Sequence, residues 1–352
     1  MTIRYRTMEP KDVRECADII AAHPVIGPRY GSQIGDLHKA WLRLLACEAA
    51  NTNVFQESDD PRAPICFVGI SLFVSDDFVR EMKTPPLRWI GPELMKRILT
   101  GNSPVLSDRQ FREANSRGGL NLLVWEGCIR PEFETNIEIP RLVMSGFIEV
   151  HSGFLLKEAI SVQTESVQRF LWTFQTGGLL WNPVSDAYEK SFSTDPSEII
   201  KNPHILGTSR EAELNNRESW SATWVGSLFD YHPPRCGFRP SEQRMLLMAL
   251  GGGTDDELSE ELGISIPTVK KMWLSVYRRV DQILPELIPG HAQPEVELTQ
   301  RGKEKKRHLL NYLRKHPEEL RPVVQKLLLK PSATDHPSSK NTSNGVKITG
   351  PS

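Results

Sequence analysis

Lys270, Lys271, Arg278 and Arg279 fall within ten residues, and no acidic residue interrupts them. Cations spaced in this way can neutralise phosphates, and lysine can also donate to O6 and N7 of guanine. Ser265 and Thr268 precede them with hydroxyls able to hold phosphate oxygens. Leu274 and Ser275 follow one turn beyond the lysines. The segment just before is the electrostatic opposite, with Asp255, Asp256, Glu257, Glu260 and Glu261. The expected chemistry is therefore double-stranded DNA binding by Ser265, Thr268, Lys270, Lys271, Leu274, Ser275, Arg278 and Arg279. The competing reading is a trihelical bundle whose basic face only meets solvent.

Three helices would position these side chains. Ser241 is the expected N-cap of the first, and Met245, Leu246, Met248 and Leu250 give it an apolar side. Gly251, Gly252 and Gly253 end it. Thr254 and Glu257 form a capping box for the second, with Leu258 and Leu262 one turn apart. Gly263 closes that helix. Ser265 caps the third, Pro267 sits in its first turn, and Val269, Met272, Val276 and Val280 make the buried stripe. Two short helices joined by a glycine-containing turn, with cations on the second, form the helix-turn-helix pattern.

The stretch from Phe238 to Val280 resembles the LuxR/GerE-type helix-turn-helix of bacterial transcription regulators. It is also similar in outline to the fourth region of sigma factors. The matching residues are Pro240, Glu242, Gly251–Gly253, the run from Glu257 to Ser265, Thr268-Val269-Lys270 and Tyr277-Arg278-Arg279-Val280. Met272 stands where the family often has histidine, and Trp273 and Leu274 stand where it often has polar residues. The resemblance implies a transcription regulator that acts as a dimer, because one such helix reads only a few base pairs.

The chain has 352 residues and a net charge of −1, with 39% hydrophobic and 25% charged residues, which suits more than one globular domain. Charge is distributed unevenly: residues 301–330 hold ten Lys or Arg against three Glu, a net of +7. Five scattered cysteines without a C-x-x-C pair fit a reducing cytoplasm, not a disulfide framework or zinc ribbon. No apolar leader or membrane-length stretch stands out. His232 and Cys236 have a spacing that a metal could use, but without a second pair no metal is expected.

The first 232 residues read as alternating strands and helices. Ile3–Arg6 is an expected strand, Val13–Ala22 a helix, and Trp41–Ala46 part of another. Residues 53–57 and Ile65–Val74 read as a hairpin, Leu120–Trp125 as a buried central strand and Glu134–His151 as a helix. A strand over Phe154–Val162 and a helix over Glu165–Thr176 follow. The opening IRYRTMEPKDVRECADIIAAHP and this order resemble GNAT-type N-acyltransferases; the competing reading is an unrelated α/β domain. The resemblance implies an acyl-CoA pyrophosphate loop after the central strand, yet EGCIRPEFETNIEIPRLVMSGF contains no Q/R-x-x-G-x-G/A motif. A sensing or protein-contact role is therefore expected, with no cofactor. The alternative is an acetyltransferase with Glu126 or Glu134 as general base. No phosphoacceptor pattern of a response regulator is present.

The expected architecture is α+β. A mixed α/β domain (1–232), GNAT-like and receiving a small-molecule or protein signal, precedes an all-α helix-turn-helix domain (233–283). Trp220 and Trp224 give the end of the first domain a core stripe. A linker over residues 284–296, then two basic helices split near Pro317, fill 284–330. A Ser/Pro-rich disordered tail (331–352) ends the chain. The partners expected are double-stranded DNA and a second copy of the chain, with no membrane.

Overall fold

The computed structural model describes residues 3–57, 62–161, 179–189, 202–216, 224–287 and 298–322. The expected helix over 165–176, Trp220, the linker beyond 287, a helix beyond 322 and the tail lie outside the described residues.

The N-terminal strands are β1 (Arg4–Thr7), β2 (Ala50–Gln56), β3 (Ile65–Val74), β4 (Leu120–Ile129) and β5 (Leu156–Ser161). With β6 (Leu179–Asn182), β7 (Ala187–Glu189) and β8 (Leu206–Ser209) they form one sheet in the order β1-β2-β3-β4-β5-β8-β6-β7. Every pairing is antiparallel except β4–β5, which is parallel. Among the described residues the α-helices of this region are α1 (Val13–Ala22), α2 (Leu37–Leu44), α3 (Asp76–Lys83), α4 (Ile90–Thr100), α5 (Asp108–Ser116), α6 (Glu138–His151) and α7 (Arg210–Asn216).

Side chains alternate across a strand, so β3 feeds two cores. Ile70, Leu72 and Val74 join Ile20, Trp41 and Leu94 from α1, α2 and α4. Phe73 joins Phe111 of α5 and Phe154 on the other face, where Phe147 and Ile148 of α6 pack alongside. Ser71 shares that second face, and its hydroxyl lies 2.6 Å from Nε2 of His151. The His151 Nδ1 lies 2.8 Å from the Phe147 carbonyl, which leaves Nε2 to accept from serine. Burial, aided by the charge of Arg321, pushes His151 down to about 4.

The C-terminal region forms a separate all-α core. Its helices are α8 (Pro240–Leu250), α9 (Asp255–Leu262), α10 (Ile266–Ile283) and α11 (Leu298–Lys315), followed by a 3-10 turn over Pro317–Leu320. The Thr254 hydroxyl accepts from the Glu257 N–H, and the Glu257 carboxylate accepts from the Thr254 N–H at 2.7 Å. Gly263 adopts the left-handed conformation that ends α9.

Two expectations need correction. The N-cap of α8 is Arg239, not Ser241, because Pro240 opens the helix and Glu242 accepts from the Arg239 N–H at 2.9 Å. The buried stripe of α10 is Val269, Trp273, Val276 and Val280; Met272 is only half-buried. The expected split near Pro317 falls at a 3-10 turn over Pro317–Leu320, and the residues expected to form the second helix lie outside those described.

Helix α11 and the turn after it belong to this core, since Leu309, Leu310 and Leu313 of the helix and Leu320 of the turn pack with Met245, Leu246 and Val269. Glu319, 2% exposed, accepts from the Arg235 and Cys236 N–H groups at 3.0 and 2.9 Å and from the Tyr312 hydroxyl at 2.8 Å. The chain thus closes back on the start of the helical unit. The unit also touches the sheet domain: Arg321 donates to the Ser152 and Glu149 carbonyls at 3.1 and 2.9 Å and lies over Phe154.

None of the helices described is long and apolar enough to cross a membrane. None of the five cysteines is in a disulfide.

Leu313, 1% exposed, tests whether α11 belongs to this core. Leu313→Ala is expected to cost about 2–5 kcal/mol in urea unfolding. His151 gives a pH signature. Its folded pKa lies below the unfolded value near 6.5, so the unfolded chain binds the extra proton. Stability is therefore full above pH ~6.5 and falls as pH drops towards about 4. His151→Gln is expected to flatten that part of a stability–pH curve.

Candidate functional site

Helix α10 is built with two different faces. Inward, Val269, Trp273, Val276 and Val280 recur at four- and three-residue steps and anchor the helix on α8 and α9. Outward, Lys270, Lys271 and Arg278 are exposed, and so is Leu274 at 54%. A surface groove of about 430 Å³ runs along this face, lined by Lys271, Leu274, Ser275, Arg278, Arg279 and Gln282.

The expected site residues fall into three groups. Lys270, Lys271, Leu274 and Arg278 face solvent together. Ser265 and Thr268 are exposed at the helix start, with their hydroxyl oxygens 2.9 Å apart. Ser275 and Arg279 are half-buried and engaged within the protein. The Ser275 hydroxyl donates to Glu242 Oε1 at 2.8 Å, and the Arg279 guanidinium lies 3.6 Å from Glu242 Oε2. Glu242 is 3% exposed, so Arg279 balances a buried carboxylate as well as edging the groove.

Neighbouring elements fix the turn and the rotation of α10. The Ser259 hydroxyl donates to the Ile264 carbonyl at 2.6 Å, bracing the turn from α9. Asp255, in the first turn of α9, accepts from the Trp273 indole N–H at 3.2 Å. Lys306 of α11 reaches the same carboxylate at 3.3 Å and lies 4.8 Å from the Trp273 ring centroid. Tyr277 stacks on Trp273 at 5.6 Å. One acid of α9, Asp255, is thus used in holding α10.

Glu242, Asp255, Lys306 and Trp273 were not singled out as site residues from the sequence. A signal for Glu242 exists: it follows Pro240 by two residues, the third helical position, where a carboxylate closes a capping box. Nothing local marks Lys306, which lies 51 residues from its partner Asp255.

The two candidate bases of the sheet domain stand apart in character. β4 carries a bulge: Ile70 pairs with Glu126 and Ser71 with Val124, which leaves Trp125 as the extra residue. The Trp125 indole donates to the Tyr30 hydroxyl at 3.0 Å, and that hydroxyl donates to Glu126. Glu126 is 8% exposed, and burial with the nearby carboxylate holds the Tyr30 phenol well above its ordinary pKa. Glu134 is exposed. The segment leading from β4 into α6 carries Pro131 and the exposed carboxylates of Glu132, Glu134 and Glu138. An incoming pyrophosphate would meet negative charge there, which opposes the attraction of a helix N-terminus.

No protein-family model matches this chain, and no curated protein matches it. Among solved structures, an uncharacterized protein of Bacillus halodurans aligns at 10% identity, with 62% of this chain, 90% of that one and a TM-score of 0.31. The acetyltransferase AAC(6')-Ib in complex with paromomycin and acetyl-CoA aligns at 11% identity over 62% of this chain and 99% of that one, with a TM-score of 0.31. The same protein with ribostamycin and coenzyme A gives 12% identity, the same coverage and a TM-score of 0.29.

Proposed function

We propose that this chain is a cytoplasmic, DNA-binding transcription regulator that docks α10 in a major groove, as a LuxR-type helix-turn-helix would. The observation that carries the reading is the exposed face of α10, where Lys270, Lys271 and Arg278 surround a groove while the acids are gathered on α9. In this reading Lys270 and Lys271 meet base edges, and Arg278 with Ser265 and Thr268 meets phosphates. Ser275 and Arg279 act mainly by fixing the helix through Glu242. The protein works as a homodimer, since one helix spans only a few base pairs. The sheet domain, a non-catalytic GNAT-like body, receives a small-molecule or protein signal.

A second reading is an acyl-CoA-dependent N-acetyltransferase joined to the same helical unit. Favouring it are the parallel β4–β5 pair inside an otherwise antiparallel sheet and the bulge that brings Glu126 and Trp125 to Tyr30. Glu126 is then the general base, and the acyl donor needs an anchor other than the acidic approach to α6.

Two measurements separate these readings. Affinity of the full chain for duplex DNA is expected to fall steeply with salt, Arg278→Ala to reduce the log–log slope by about one, and Lys270→Ala with Lys271→Ala to weaken binding and relax its base preference. Salt-independent binding, or an unchanged slope, contradicts the regulator. Titration of the full chain with acetyl-CoA is expected to give only heat of dilution; saturable heat instead supports the acetyltransferase.

A further inference from the structure

The exposed face of α10 is not purely cationic. Ile266, Lys270, Leu274 and Arg278 follow one another at four-residue steps, so they form one ridge on the helix. All four are exposed, with Ile266 at 38% and Leu274 at 54%. Among the described residues from 233 onward, these are the two large apolar side chains that are exposed. The other large apolar residues of the helical unit whose side chains are described enter its core or pack against it. Leu274 also lines the groove, beside Lys271 and Arg278.

A leucine neither donates nor accepts a hydrogen bond, so a base-edge hydrogen bond is closed to it. In the major groove the apolar group on offer is the C5 methyl of thymine. The flanking cations determine the occupant: a surface ringed by Lys271 and Arg278 attracts a polyanion, and an apolar protein surface alone would leave those charges desolvated. We propose that Leu274 is a specificity-determining residue that contacts the C5 methyl of a thymine. The inference rests on the DNA-binding reading above and adds to it which base feature is read, and by which side chain.

The test uses the full chain and duplexes selected by it from a randomised pool. Each thymine is replaced in turn by deoxyuridine, which deletes the methyl and nothing else. At one thymine the wild type is expected to lose about fourfold in affinity, the worth of one buried methyl-sized group. Leu274→Ala should bind the thymine and deoxyuridine duplexes equally. Leu274→Gln, equally exposed, gives a second chance should the first variant not fold. Lys271→Ala should bind both duplexes more weakly yet keep the fourfold preference. If duplex binding is salt-dependent but no deoxyuridine matters, or if Leu274→Ala keeps the preference, this inference is wrong and the regulator reading stands. If no duplex is bound in a salt-dependent way, both fall together.

Discussion

The placement of α10 depends on one buried carboxylate. Glu242 receives the Arg239 N–H, the Ser275 hydroxyl and the nearby Arg279 guanidinium, and so joins the start of α8 to the middle and end of α10. A carboxylate with so little exposure is tolerable only when partners surround it. That requirement fixes the rotation of α10 about its own axis. Once Ser275 and Arg279 are turned inward, Lys270, Lys271, Leu274 and Arg278 have nowhere to point but out. Asp255 fixes the same rotation from the other side by holding the Trp273 indole, and Lys306 partly neutralises it.

Local signals were legible in the sequence because they act over three or four residues. The Thr254–Glu257 box and the left-handed Gly263 stand where the residue types placed them. The stripe of α10 was harder. Met272 and Trp273 both fit a three- or four-residue spacing with Val269 and Val276, so periodicity alone does not choose between them. The choice falls to Trp273 because Asp255 supplies a partner for its indole N–H and Lys306 covers its ring. Those partners come from two other helices. Glu319 shows the same limit, since it satisfies N–H groups more than eighty positions earlier.

In the sheet domain the long apolar strands β3 and β4 were readable, and the charged helices α3 and α5 were not. DDFVREMK and DRQFREANS contain too few apolar residues to show a periodic face, yet Ser75 and Ser107 cap both helices. The short strands β6, β7 and β8 likewise carry too little pattern. The bulge at Trp125 leaves no mark in sequence, because one extra residue in a strand looks like any other. It nevertheless decides that Trp125 and Glu126 both serve Tyr30. The site candidates of this domain are therefore products of register more than of motif.

The contact between the two bodies has a geometry of its own. Gly153 sits at φ +83°, and a methyl group there would lie 2.5 Å from the Glu318 backbone nitrogen. Main chain meets main chain at that point, with no side chain between to act as a cushion. Arg321, laid over Phe154 and bonded to the last carbonyls of α6, latches the same spot. The end of α6 and the turn after α11, whose Glu319 clasps the first residues of the helical unit, thus have no room for a side chain at position 153 between them.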